Sequence, residues 1–375
     1  MMRFILIFLS LLPHNFVFAE TAEVSPGRIT GGMATEFRNI KLEPSPSPRS
    51  LPNKELNTDD RSVIARANQL FDQNQSALEM IIVDRGQVLL ERYRSPANSS
   101  RPAFSMSMSK SLTAYTIGNM MCDGKISDLN APAATYSSAL KNTVYGEASV
   151  KNLLTMSSGV ADAPHAGDPI KRDQCQAGVD CHGWEMQRSQ SISGRDLIEQ
   201  FPNRERASGA RFSYHAIDTL ALSEVAEQNG GFINNFVKYI WGNAGPESPG
   251  YWLIDKENRA IAQAGFSAVI RDWARLAMLS IDQLNSPNQC ISSYMKAATS
   301  AQIPNKNRTV GAAFHNYGYQ TWIADFGPRE SYWWVGYGGQ RVGVDPQKER
   351  IIVVISKRED YMPEIYKFFA WWQRQ

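Results

Sequence analysis

The chain has 375 residues, room for one large domain or two closely packed ones, and its 43% apolar content supplies a sizeable core. Lys and Arg, 39 in all, nearly balance 37 Asp and Glu. No strong field therefore exists to recruit nucleic acid or an anionic membrane by charge alone, and a small neutral partner fits better.

Met1, Met2 and Arg3 precede an apolar run from Phe4 to Leu12 that Pro13 breaks, and Val17-Phe18-Ala19 follows with modest or small residues. Residues 1–19 read as a secretory signal, which predicts an exported protein, periplasmic or secreted. The alternative, a membrane anchor, would need roughly 20 uninterrupted apolar residues, and the run is much shorter. No later segment is long and apolar enough to span, so no membrane span is expected once the signal is removed.

Residues 20–60 carry Pro44, Pro46, Pro48 and Pro52 among serines and charges, and read as a linker or an arm lying on the surface. Helical spacing begins at Arg61–Phe71, with Val63, Ile64, Ala67, Leu70 and Phe71 recurring on one face. Two β-rich runs, Leu78–Asp84 and Gln87–Tyr93, flank Arg85-Gly86 and predict a hairpin.

From 129 to 304 the chain reads mainly as helices and long loops, for example 195–201, 216–228 and 267–281. Further strands are expected at Tyr317–Ala324, Tyr332–Gly336, Arg341–Val344 and Ile351–Ser356, and a closing helix at Ile365–Trp372. Strands at both ends with helices between them imply an α/β (α+β) fold. Residues 61–128 and 305–375 would build one lobe around a mostly antiparallel sheet flanked by helices, and 129–304 an inserted, mainly helical lobe. A pocket is expected between the lobes.

Four cysteines follow the signal. Cys175 and Cys181 enclose a short polar loop, and a local disulfide is the plain reading in an oxidising compartment. His182 beside Cys181 raises the alternative of a metal site, but no fourth ligand with zinc spacing accompanies them, and no metal is expected. Cys122 lies on an apolar helical face and reads as a buried small side chain.

Ser107-Met-Ser-Lys110 is an SxxK element at the start of the helix predicted to run to about Cys122. Spacing of three sets both side chains on one helical face. A neutral lysine amine there can take the serine proton, provided burial and the helix N-terminus lower its pKa. The spacing alone is weak, because Ser138–Lys141 and Ser293–Lys296 repeat it. Context favours Ser107: a hairpin precedes it and the apolar residues Leu112, Tyr115, Ile117, Met120 and Met121 follow, whereas Ser138 sits in a polar stretch and Ser293 on an expected surface helix.

Four segments in order strengthen that choice: Phe104–Ser111, Leu153–Gly159, Gly209–Tyr214, and Gly336–Gln340 with Val344-Asp-Pro346. Together they resemble the serine β-lactamase-like superfamily (the β-lactamase and transpeptidase fold), and in particular its class C-type esterases and amidases, the 6-aminohexanoate-dimer hydrolases among them. Ala264–Arg275 resembles the helix behind that branch's pocket. The similarity runs from about residue 61 to the end.

The resemblance implies that Ser107 is the acylated nucleophile, Lys110 its base and Tyr214 a second proton-transfer group. It also implies an oxyanion hole made by the N–H groups of Ser107 and Tyr337. Two departures bear on substrate. The second motif continues Tyr214-His215-Ala216 where penicillin-reactive members have Tyr-x-Asn, and Gly336-Tyr-Gly-Gly stands where those members have a cation before Thr-Gly. Recognition of a β-lactam carboxylate is thereby weakened, and an ester or a linear amide is the expected substrate.

His215, Gly336, Gly338, Asp162 and Trp184 are candidate substrate-binding residues, the last two in a polar loop that also holds His165 and His182. No Gly-x-Ser-x-Gly elbow, P-loop or HExxH motif occurs, so a Ser-His-Asp triad, a nucleotide site and a metallopeptidase have no support. The reading is a cofactor-free serine hydrolase acting on a small-molecule ester or amide. Its rivals are a D,D-peptidase or β-lactamase and, from another class, an inactive homologue that binds a ligand in the same cleft. Oligomeric state is not legible.

Overall fold

The computed structural model describes residues 23–160, 187–188, 190–306 and 310–375. The signal segment, Asp162, His165, Cys175, Cys181, His182 and Trp184 lie outside the described residues.

The fold is mixed α/β with two antiparallel sheets. The larger joins strands from both chain ends. β2 (Ala77–Asp84) and β3 (Gln87–Tyr93) form the N-terminal hairpin. Arg85 and Gly86 at its tip both take positive φ, 49° and 74°, the turn that matches strand twist. β2 then pairs with β12 (Arg350–Ser356), and the sheet continues through β11 (Gln340–Asp345), β10 (Ser331–Gly336), β9 (Trp322–Ala324), β8 (Asn316–Tyr317) and β7 (Ile303–Pro304). The expected strand Tyr317–Ala324 is two short strands, because the backbone turns back between them with Gly318 N–H donating to Thr321 O.

Alternation decides what each sheet face meets. Met80, Ile82, Ile352 and Val354 pack with Val63, Phe71, Ile365, Phe369 and Trp372, which come from α1 (Thr58–Gln73) and α6 (Met362–Arg374). A capping box between Asn57 and Asp60 starts α1. Ile81, Val83, Ile351 and Val353 face the main core. There the sheet meets α4 (Ile270–Leu284), while α2 (Ser109–Cys122) lies against β10. Residues 267–281 were expected as helix throughout; instead β6 (Phe266–Ala268) precedes α4. Helices Gly194–Glu199 and α3 (Ile217–Gln228) fall where the sequence puts them.

The smaller sheet runs β1 (Asn39–Leu42), β5 (Gly250–Leu253), β6 and β4 (Ala103–Phe104). It corrects the reading of residues 20–60 as a linker or surface arm. From residue 23 on this segment is packed: Ile29, Met33, Leu42 and Leu51 are buried. Its backbone is satisfied by pairing with β5 and by bonds such as Val24 N–H to Lys357 O and Gly31 N–H to Pro102 O. Short helices form at Pro26–Ile29 and Gly32–Glu36, while the proline-rich stretch from Pro44 to Pro52 stays non-helical without preventing such edge-on pairing.

Cys122 is likewise not an isolated small side chain. It is half-buried and forms a disulfide with Cys290, with Cα atoms 5.7 Å apart, joining the end of α2 to α5 (Gln289–Ala298). A helical-face reading found the position and missed its partner, because 168 residues separate the two.

Candidate active site

Ser107 occupies a single 3₁₀ turn, Met106–Met108, directly ahead of α2. Met106 takes φ 45°, a left-handed conformation that costs a side-chain-bearing residue of order 1–3 kcal/mol. The surroundings hold it there. β4 pairs with β6, Ser105 N–H donates to Phe266 O, and Ser105 Oγ donates to Ala264 O and accepts from Phe266 N–H. From the other side the end of β10 presses in: a Cβ on Gly336 would come 2.4 Å from Ser105 O and 3.0 Å from Met106 Cβ. Only glycine admits that approach.

Lys110 is 1% exposed, and its Nζ lies 2.9 Å from Ser107 Oγ and donates to Gln263 O at 2.7 Å. Burial in these surroundings brings its pKa from the usual lysine range down to about 7. The other two SxxK pairs lack this setting. Ser138, Lys141, Ser293 and Lys296 are all exposed, Ser138 Oγ is bonded to Gln228, and Lys141 has already left its short helix.

Tyr214 joins the pair from the helical side. Its hydroxyl is hydrogen-bonded with the Ser107 side chain, and its ring centroid lies 5.5 Å from Lys110 Nζ. Burial pushes its pKa up, the bond with Ser107 and the charge of Arg341 only partly opposing this. The ring packs on Trp322 at 5.2 Å and edge-on to Tyr317 at 6.3 Å. The Leu153–Gly159 segment fixes the backbone behind it: Ser213 N–H donates to Met156 O, and Gly209 N–H to Ser157 O. Gly159, with φ 84°, leaves room for Arg206 O, which a Cβ would meet at 2.3 Å.

His215 is not on an open surface. It is 1% exposed behind Tyr214, with Nε2 3.4 Å from Ser158 Oγ and 3.6 Å from Asp218 Oδ1, and its ring is edge-on to Tyr145. Burial raises the Asp218 pKa to about 8, against the bonds from Ser158 and the charge of Arg204. Tyr337 is half exposed at the tip of the β10–β11 hairpin, while Gly338 is buried with its N–H donated to Glu359 Oε1 at 3.1 Å. Asp162 and Trp184 fall outside the described residues.

Three participants escaped the sequence reading. Gln263 contributes a backbone carbonyl, which no side-chain pattern announces. Met106 matters through its backbone angle. Arg341, 3% exposed, sits one residue past the glycine-rich motif, and its guanidinium donates to Gly336 O at 2.6 Å and to Gln340 O at 2.9 Å. The only signal was a charged residue directly ahead of the apolar and small run Val342–Val344 in β11.

Comparison with known proteins finds relatives of the same fold. A curated 6-aminohexanoate-dimer hydrolase from Paenarthrobacter ureafaciens is 24% identical over 297 residues, 76% of this chain and 74% of that protein. Among solved structures, a "Putative 6-aminohexanoate-dimer hydrolase from Bacillus anthracis" superposes with a TM-score of 0.71 at 23% identity, covering 88% of this chain and 89% of that one. An octameric penicillin-binding protein homologue from Pyrococcus abyssi gives 0.63 at 17% identity, over 84% and 76% of the two chains. The Beta-lactamase family profile matches residues 63–370, a span that takes in Ser107, Lys110, Tyr214 and the Gly336 hairpin. The chain belongs to the beta-lactamase family and is a hydrolase of the β-lactamase-like serine hydrolase superfamily.

Proposed function

We propose that the protein is an exported hydrolase of carboxylic esters or linear amides that acts through an acyl-enzyme on Ser107. The observation that carries this reading is Lys110 Nζ, buried and 2.9 Å from Ser107 Oγ, with a pKa of about 7. A neutral amine has two N–H donors and one lone pair. Donation to Gln263 O leaves the lone pair for the Ser107 hydroxyl proton.

As Oγ attacks the substrate carbonyl, the proton passes to Lys110 and negative charge gathers on the carbonyl oxygen. The N–H groups of Ser107 and Tyr337 receive that charge. Collapse expels the alcohol or amine, which takes a proton from the Lys110–Tyr214 pair. Tyr214 suits this step as a phenol, since burial keeps its proton on. Water then attacks the acyl-enzyme and gives its proton to the same pair, which hands it on to Ser107 Oγ as the acyl bond breaks and the acid is released.

Substrate choice follows from what surrounds this machinery. Ala216 stands where penicillin-reactive members carry an amide, and Gly336-Tyr-Gly-Gly carries no cation of its own. Arg341 does not replace one, because its guanidinium is engaged by Gly336 O, Gln340 O, Tyr366 and Glu359. The 6-aminohexanoate-dimer hydrolase relative supports a linear amide. Export is supported by the signal-like residues 1–19 and by the Cys122–Cys290 disulfide, a bond suited to an oxidising compartment.

The test is a fluorophosphonate probe followed by mass spectrometry, on the purified protein and on Ser107→Ala. The adduct is expected on Ser107 and absent from the variant; labelling elsewhere, or none, overturns the reading. Nitrophenyl esters, short linear amides and a chromogenic cephalosporin then separate the substrate classes, with turnover of the first two expected to exceed that of the third.

A further inference from the structure

The hairpin that carries Tyr337 is held on both sides by an ion pair between the buried Arg341 and the partly exposed Glu359. Arg341 Nη1 donates to Gly336 O at 2.6 Å, its Nε donates to Tyr366 Oη at 2.8 Å, and its Nη2 lies 3.4 Å from Glu359 Oε2. The other oxygen of the same carboxylate, Glu359 Oε1, accepts from Gly338 N–H at 3.1 Å. Between them, Tyr337 O accepts from Gln340 Nε2 at 2.9 Å, and that nitrogen also donates to Ser356 O at 2.9 Å. Both peptide units around Tyr337, Gly336–Tyr337 and Tyr337–Gly338, are thus fixed by side chains.

A trans peptide directs its C=O and N–H to opposite sides. The Gly336–Tyr337 bond is trans, since the one cis bond among the described residues is Ser95–Pro96. With Gly336 O turned to the Arg341 guanidinium, Tyr337 N–H leaves on the side away from it. Gly336 itself is in contact with the Ser105–Met106 backbone, so this peptide borders the turn that carries Ser107. A peptide whose carbonyl accepts a charge-assisted hydrogen bond is polarised along its length, and its N–H becomes the stronger donor.

We propose that Arg341, paired with Glu359, is a positioning residue for the oxyanion hole: it orients and polarises the Gly336–Tyr337 peptide so that Tyr337 N–H meets the charge developing on the substrate carbonyl oxygen. The inference rests on Ser107 being the nucleophile. It explains why an arginine occupies a buried position on β11 where an apolar residue of similar length would avoid desolvating a charge.

The test compares Arg341→Met, Arg341→Lys and Glu359→Gln with the parent. Substrates are a nitrophenyl ester and the matching thionoester, in which sulfur replaces the carbonyl oxygen and accepts hydrogen bonds poorly. Circular dichroism and thermal unfolding identify the variants that fold. In Arg341→Met, kcat on the ester should fall about 10- to 100-fold with KM changed less than about threefold, short of the roughly 10²- to 10³-fold cost of losing an oxyanion donor outright. The ester-to-thionoester rate ratio should fall with it. Arg341→Lys and Glu359→Gln should show intermediate losses in the same ratio, and they carry the test if the methionine variant does not fold.

Folded variants that keep kcat within about threefold of the parent, or that slow ester and thionoester by the same factor, overturn the proposal. Failure of the parent enzyme to take the fluorophosphonate on Ser107 would instead overturn the nucleophile assignment, and this inference with it. Labelled parent enzyme with an unchanged rate ratio in the variants removes Arg341 alone.

Discussion

Lys110 Nζ stands 2.9 Å from Ser107 Oγ inside a site where burial lowers the lysine pKa to about 7. Only the neutral amine can accept the serine proton, so activity should rise with pH as Lys110 loses its own. The expected profile of kcat/KM has an acid limb with an apparent pKa of about 7. Lys110→Ala should lower kcat/KM by roughly 10²- to 10⁴-fold and abolish that limb. A variant that still titrates near pH 7 would assign the limb to another group.

Tyr214→Phe isolates the hydroxyl from the ring. The phenyl group keeps its packing on Trp322 and Tyr317, so thermal stability should stay close to that of the parent. Activity should fall roughly 10²-fold or more, because the leaving group and the deacylating water lose a proton-transfer partner. Burst kinetics with a nitrophenyl ester tell which half is affected, and equal activity in the variant would limit Tyr214 to packing.

Much of this arrangement was legible in the sequence where the signal was local. The Arg85-Gly86 turn, the β-rich runs on either side of it and the apolar residues of α2 are read from short-range patterning and locate Ser107 after a hairpin. What was not legible depends on distant segments meeting. β1 joins β5 across more than two hundred residues of chain, and Cys122 meets Cys290 in the same way. The Gln263 carbonyl and the Arg341 guanidinium act through the backbone of other segments, which leaves no spacing to read. His215, a substrate-binding candidate in the sequence, lies with its Nε2 toward Ser158 and Asp218, a setting that its place next to Tyr214 does not reveal.

Gly336→Ala should disturb the Ser107 turn without altering the Ser107, Lys110 or Tyr214 side chains. The added Cβ would lie 2.4 Å from Ser105 O, a backbone atom that cannot rotate away, so β10 and the turn must separate. Overpacking of this kind costs about 1–3 kcal/mol. A lower unfolding midpoint and at least a tenfold loss of kcat are expected; a fully active variant would show that the turn tolerates displacement.

The Cys122–Cys290 disulfide closes a loop of 168 residues and ties α2 to α5 far from Ser107. Chain entropy assigns such a bond roughly 5 kcal/mol of stability. The double variant Cys122→Ser, Cys290→Ser should unfold at distinctly lower denaturant, while kcat and KM at room temperature remain near those of the parent. Loss of activity in a folded double variant would mean that the α2 end influences the site.

Asp218 supplies a stability test whose sign is fixed by its environment. In the folded protein burial holds its pKa at about 8, whereas the ordinary aspartate value is 3.8. Between those values the folded state binds more protons than the unfolded one, so this group makes stability fall as pH rises from about 4 to about 8. Below about pH 4 both states are protonated and its effect vanishes. Above about 8 the cost of the buried carboxylate is present in full. Asp218→Asn keeps the shape and removes the charge, so its stability relative to the parent should increase across that window by on the order of a few kcal/mol. Urea unfolding at pH 4.5, 6.5 and 8.5 reads this directly. A difference between variant and parent that stays constant with pH would mean that Asp218 keeps an ordinary pKa.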